Sequence, residues 1–180
     1  VLFLASCSNQ KSGENDESKA DSVVIESDVQ ESNIVGEEVV YSADSIEMHG
    51  YMVYDASIEG ARPGILVVHE WWGHNEHSRN QARELAEMGY VALAVDMYGN
   101  GKQAMHPKDA GKFAGMVMGN LEEAEQRFSA AYDLLQASEV VDSEKIGAIG
   151  FCFGGSVVLT MANRGMDLDA VAAFHAGIEL

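Results

Sequence analysis

The sequence predicts an α/β protein with a mostly parallel, doubly wound sheet, and three observations carry that expectation. Strand-like apolar runs alternate with helical patterns from about residue 51 onward. The runs Ile65-Leu66-Val67-Val68-His69 and Tyr90-Val91-Ala92-Leu93-Ala94-Val95-Asp96 are continuously apolar rather than alternating, as strands covered on both faces are. A third run, 146–150, passes through Gly150-Phe151-Cys152-Phe153-Gly154-Gly155 straight into a helical pattern.

Charge divides the chain unevenly. Up to Met48 there are 11 acidic against 2 basic residues, and from His49 onward 18 against 9, so two very unequal lengths carry the same net −9. This acidity excludes nucleic acid as an expected partner, since neutralising phosphates needs clustered Lys and Arg. Cys7 and Cys152 are the two cysteines, and without a C-x-x-C pair neither a zinc knuckle nor a dithiol site can be built.

In chain order, residues 1–7 (Val1-Leu2-Phe3-Leu4-Ala5-Ser6-Cys7) form a short apolar run that turns abruptly polar. Leu4-Ala5-Ser6-Cys7 resembles a bacterial lipobox, which implies the end of a signal peptide with Cys7 as the lipidated residue. The expected location is therefore the bacterial cell envelope, with membrane attachment through that lipid. Residues 8–33 lack aromatics and are rich in Ser, Asp, Glu and Asn, so they bury too little apolar surface to offset the entropy of ordering. They are expected to be an acidic, disordered tether. The folded domain is expected over 34–180.

Residues 37–42 and 46–54 read as a hairpin turning at 43–45. After the strand ending at His69 and the segment Glu70-Trp71-Trp72-Gly73-His74-Asn75, a helix is expected from Glu76 to Met88, stopped by Gly89. The second buried strand leads into a Gly-rich loop and a weaker helix after Pro107. A stronger helix starts at Asn120, where Glu123 gives a capping-box spacing. Leu121, Ala124, Phe128, Ala131 and Leu135 then keep helical period on one face. The helix after the cysteine turn is expected over 156–163 and a last buried strand over 170–174.

Gly150 and Gly154 flank Cys152 at the spacing of a nucleophile elbow, G-x-S-x-G, with sulfur replacing the hydroxyl. A strand reversing into a helix strains its apex and leaves no room for side chains two positions away, and glycine satisfies both needs. A thiol held at a helix start sits where the dipole and free N–H groups favour thiolate. The alternative is a small buried cysteine in a Gly-rich turn. In an open parallel sheet the strand carboxyl ends form the ligand edge, and three of them present Glu70-Trp71, Cys152 and His175.

Val67-Val68-His69-Glu70-Trp71-Trp72-Gly73 together with Gly150-Phe151-Cys152-Phe153-Gly154-Gly155 resembles the dienelactone hydrolase family of the α/β-hydrolase superfamily, over about Tyr51 to Gly177. The resemblance implies hydrolysis of carboxylic ester or lactone bonds in small substrates, with Cys152 as nucleophile and Glu70 helping to form the thiolate. It also implies that the backbone N–H groups of Trp71 and Phe153 make the oxyanion hole. Family members that act on dienelactone hold its carboxylate with an arginine, and Lys108-Asp109-Ala110-Gly111-Lys112 offers only lysine, a point charge without bidentate geometry. The expected triad order is nucleophile, acid, histidine. Asp167 and Asp169 precede their strand, and Glu179 follows His175, so the acid and histidine are expected beyond Leu180 and the stretch to be truncated at both ends. The C-terminal strands and helix of the fold would then be missing from it.

Two further function classes compete with this reading. A metal or nucleotide site finds little support: His69-Glu70-Trp71-Trp72-Gly73-His74 lacks H-E-x-x-H spacing, and neither a P-loop nor G-x-G-x-x-G is present, so no metal or cofactor is expected. A non-catalytic lipoprotein reusing the fold for binding is the alternative function, because fold alone does not fix activity.

Overall fold

The computed structural model describes residues 33–177. The lipobox, most of the expected tether and Glu179 lie outside the described residues.

Among the described residues six strands form one sheet: β1 Ile34–Ala43, β2 Ile46–Asp55, β3 Arg62–Val68, β4 Val91–Val95, β5 Val141–Phe151 and β6 Ala170–Phe174. Their order is β1-β2-β4-β3-β5-β6. The first two pair antiparallel from Ile34↔Asp55 to Ala43↔Ile46, and β2 is antiparallel to β4. The β4-β3, β3-β5 and β5-β6 pairs are all parallel. This is the expected mostly parallel sheet, with the hairpin added at one side. Asp44 turns the hairpin at φ 53°, a conformation that Asp tolerates better than most side chains.

Among the described residues the helices are α1 Glu76–Glu87, α2 Pro107–Met118, α3 Leu121–Gln136 and α4 Phe153–Asn163. Asn75 caps α1 by accepting from the N–H groups of His77 and Ser78, and Gly89 leaves the helix at φ 92°. Asn120 caps α3 reciprocally: its Oδ1 accepts from Glu123 N–H (3.4 Å), and its Nδ2 donates to Glu123 Oε2 (3.1 Å). Proline at the first position of α2 fixes a helical φ where no intrahelical N–H bond is needed.

The helices cover both faces of the sheet. Ala82 and Ala86 of α1 pack on Val53, Val67, Ala92 and Ala94, and these small residues let the helix lie close. The larger core on the other face joins Met48, Leu66 and Leu93 to Phe128 and Leu135 of α3 and Val157, Val158 and Met161 of α4. Phe128 is fully buried, which contributes about 1.5–3 kcal/mol relative to exposure.

Strands β1 and β5 run longer than the sequence reading, over Ile34–Ala43 and Val141–Phe151, and the boundary at the cysteine turn also differs. Helix α4 starts at Phe153 rather than at 156, with Cys152 itself in the N-cap position. Glycines at 154 and 155 lower helix propensity and so suggest a later start, but here they occupy the first turn because only they fit it.

Candidate active site

Cys152 occupies the corner between β5 and α4 with φ 54° and ψ −117°, an uncommon conformation for a residue bearing a Cβ. Holding it costs of order 1–3 kcal/mol, which the surroundings must supply. They do so from both sides. The Cys152 N–H donates to the Phe174 carbonyl at the end of β6 (2.9 Å), and its carbonyl accepts from Ser156 N–H in the first turn of α4 (3.1 Å). The thiol is half-buried rather than sealed in the core.

The flanking glycines fit the elbow reading. A Cβ on Gly150 would fall 2.6 Å from Gly155 N and closer still to the Gly154 carbonyl. One on Gly154 would fall 2.6 Å from the His69 carbonyl oxygen and closer still to that of Val68. The second approach presses the start of α4 directly against the end of β3. Phe153 and the segment after Val68 are thereby brought together, as the convergence of strand ends predicts.

Glu70 and Trp71 follow β3 on that edge. The Glu70 carboxylate faces His175 at the end of β6, Oε1 to Nε2 3.9 Å, and is not hydrogen-bonded to the Cys152 thiol. His175 holds φ 41°, again unusual for a side chain of its size. Among the described residues, neither Trp71 N–H nor Phe153 N–H donates to a protein acceptor, so both stay available. The Trp71 and Trp72 rings meet edge to face at 5.3 Å, and Trp71 packs against the larger core. Asp169 lies at the other end of the sheet, where its Oδ2 accepts from Ile146 N–H (2.8 Å). This agrees with placing Asp167 and Asp169 away from the thiol.

Three residues on this edge escaped assignment from sequence. Asp96, at the end of β4, is fully buried and accepts from the N–H groups of His49, Tyr98, Gly99 and Gly101. It thereby shapes the Gly-rich loop, and the signal for it was an acid ending a wholly apolar strand just before glycines. Tyr98, so held, donates its hydroxyl to the Trp71 carbonyl (2.9 Å), while its ring lies 5.5 Å from that of Phe153. Burial, then the nearby Cys152, push the Tyr98 hydroxyl above its ordinary pKa, so it stays a donor. His69 is buried, bonded at Nδ1 to the Glu70 carbonyl (2.5 Å) and at Nε2 to Met97 N–H (3.2 Å).

Lys112 is exposed on α2 and lines a cavity of about 540 Å3 with Tyr98, Phe113 and Arg127. Neither Cys152 nor Glu70 borders that space. Arg127 is occupied elsewhere, donating to the Met97 carbonyl (2.7 Å) and pairing with Glu123.

A strand-cysteine-helix elbow on a mostly parallel sheet flanked by helices, with Glu70 and Trp71 at the end of the neighbouring strand, defines an α/β-hydrolase fold. The chain belongs to the dienelactone hydrolase family, whose model matches residues 48–179. Protein usf of Aquifex pyrophilus is 33% identical over 147 residues, covering 78% of this chain and 62% of that protein. The solved structure m3DLH is 34% identical with a TM-score of 0.79, over 81% of this chain and 61% of that one. A dienelactone hydrolase-like promiscuous phosphotriesterase from metagenomic libraries is 35% identical with a TM-score of 0.77, over 82% and 62%. The chain thus spans about three fifths of the length of these relatives.

Proposed function

We propose that the protein hydrolyses carboxylic ester or lactone bonds of small substrates, with Cys152 as nucleophile. The observation that carries this is the strained Cys152 corner at the start of α4, on the same sheet edge as Glu70. Glu70 accepts the thiol proton, and the sulfur attacks the substrate carbonyl carbon to form a C–S bond. The carbonyl oxygen, now an anion, is received by the N–H groups of Trp71 and Phe153. Collapse breaks the C–O bond and releases the alcohol, which takes up a proton and leaves a thioester. Water then cleaves the thioester to give the acid and the free thiol.

His175 belongs to the same arrangement through its contact with Glu70. The lipid on Cys7 and the envelope location are also part of the proposal and rest on the sequence 4–7 alone.

Steady-state hydrolysis of a panel of small aryl esters and lactones by the intact protein tests this reading. Cys152→Ala is expected to abolish turnover, and Glu70→Gln to lower acylation by about a hundredfold with little change in KM. Undiminished hydrolysis by Cys152→Ala would place the chemistry elsewhere. Mass spectrometry of the mature protein tests the anchor, which requires a diacylglycerol-modified Cys7.

A further inference from the structure

We infer that His69 is a positioning residue that aims the Trp71 N–H at the oxyanion, and this rests on the hydrolase reading above. The imidazole is 2% exposed and lies between the ends of β3 and β4. Its Nε2 receives the Met97 N–H at 3.2 Å, so that nitrogen must carry a lone pair. A neutral imidazole has one N–H, which is therefore on Nδ1 and donates to the Glu70 carbonyl at 2.5 Å. Burial lowers the pKa of the ring and keeps it in this neutral form.

The Glu70 carbonyl also accepts from Gly73 N–H at 3.2 Å, so both of its lone pairs are used. That second donor depends on Gly73, which turns the chain at φ 92° and whose Cβ would meet the Lys102 and Gln103 backbone. The Glu70 carbonyl and the Trp71 N–H belong to one planar trans peptide and point in opposite directions. Two donors fixing the carbonyl therefore fix the N–H on the far side, where among the described residues it meets no protein acceptor. The same imidazole stacks on Phe153 at 5.7 Å and 24°, the residue that supplies the other oxyanion donor. One buried side chain thus touches both halves of the hole without touching the substrate. The Tyr98 bond to the Trp71 carbonyl steadies the following peptide in the same way.

Two substitutions separate this role from simple packing. Asparagine places its amide near the Nδ1 position and keeps a donor for the Glu70 carbonyl, while glutamine reaches the Nε2 position and keeps an acceptor for Met97 N–H. Acylation is read from the burst of nitrophenol with a p-nitrophenyl ester in the intact protein, alongside kcat, KM and thermal midpoints. His69→Gln is expected to slow acylation roughly tenfold to a hundredfold with KM held, the loss characteristic of a weakened oxyanion donor. His69→Asn should recover most of that loss at a comparable thermal midpoint. Inhibition by an aryl trifluoromethyl ketone, whose adduct with Cys152 carries the oxyanion, should weaken in parallel for the glutamine variant. Equal losses in both variants, or wild-type acylation by His69→Gln, overturn the inference. Turnover surviving in Cys152→Ala instead overturns the hydrolase reading beneath it, so the two failures are distinct.

Discussion

Gly154 packs so closely on Val68 that the Val68 carbonyl oxygen fills the place where a Cβ would stand. The obstacle is backbone on both sides, since the His69 carbonyl lies 2.6 Å from the same point and cannot rotate away as a side chain could. Gly150 meets the equivalent obstacle in Gly154 and Gly155. These approaches hold the elbow against β3, so the position of Cys152 and the fold depend on the same two missing side chains.

Gly150→Ala and Gly154→Ala are accordingly expected to destabilise by about 3 kcal/mol or more, at the upper end of single substitutions. Gly111→Ala is the control. Gly111 lies inside α2 with nothing within 4 Å of where a methyl group would stand, so alanine should stabilise by about 0.5–1 kcal/mol. Urea unfolding of the three variants checks both signs, and a mild effect at Gly154 would contradict the close packing.

His74 sets a pH dependence. It is 2% exposed, and its Nε2 has no hydrogen-bond partner among the described residues. Burial, with the nearby Arg79 and His69, pushes its pKa from 6.5 down to about 4. Below pH 6.5 the unfolded chain takes up a proton that the native state refuses until about pH 4. Stability is therefore complete above that window and falls as pH drops through it, by on the order of 3 kcal/mol. His69, also lowered by burial, acts with the same sign. Urea midpoints at about pH 7.5, 6 and 5, entering that window from above, should decline for the wild type and decline less for His74→Phe. Parallel declines would remove His74 as the source.

What the sequence made legible was local or periodic. Cys152 with Gly150 and Gly154 was readable because the elbow imposes fixed offsets on adjacent residues, and α3 because Asn120, Glu123 and the apolar stripe repeat at helical spacing. The neighbours of each strand were not readable. That β2 lies beside β4 rather than β3 depends on tertiary pairing such as Tyr51↔Ala94, which leaves no mark at either position. The same limit hid His69 and Tyr98. Their partners, Met97 N–H and the Trp71 carbonyl, are backbone groups 28 and 27 residues away, and every residue type offers such groups. In the sequence His69 reads as the last residue of an apolar strand, five positions from His74 and so without metal-site spacing, and its bonds are both to main chain.

Asp96 offers the test that joins stability to the site. Its Oδ1 accepts from Tyr98 and Gly99 N–H at 2.9 Å each, and its Oδ2 from Gly101 N–H at 2.8 Å and His49 N–H at 3.2 Å. All four partners are donors, so an ionised carboxylate satisfies them and an amide cannot. Asp96→Asn retains one oxygen and turns an NH2 group toward two N–H groups, leaving buried donors opposed without acceptors. Each such donor costs about 1–3 kcal/mol, so a loss on the order of 2–5 kcal/mol is expected. The damage should spread outward, because Asp96 holds the loop that carries Tyr98, and Tyr98 holds the Trp71 carbonyl. Asp96→Asn should therefore lower kcat at temperatures where the variant is still fully folded by circular dichroism. Tyr98→Phe, which removes the Trp71 bond and leaves the Asp96 contacts intact, should reproduce part of the kcat loss at a cost of only about 1 kcal/mol. Full activity in folded Asp96→Asn would show that the loop and the Glu70-Trp71 segment are mechanically independent, contrary to the chain of bonds from Asp96 through Tyr98 to Trp71.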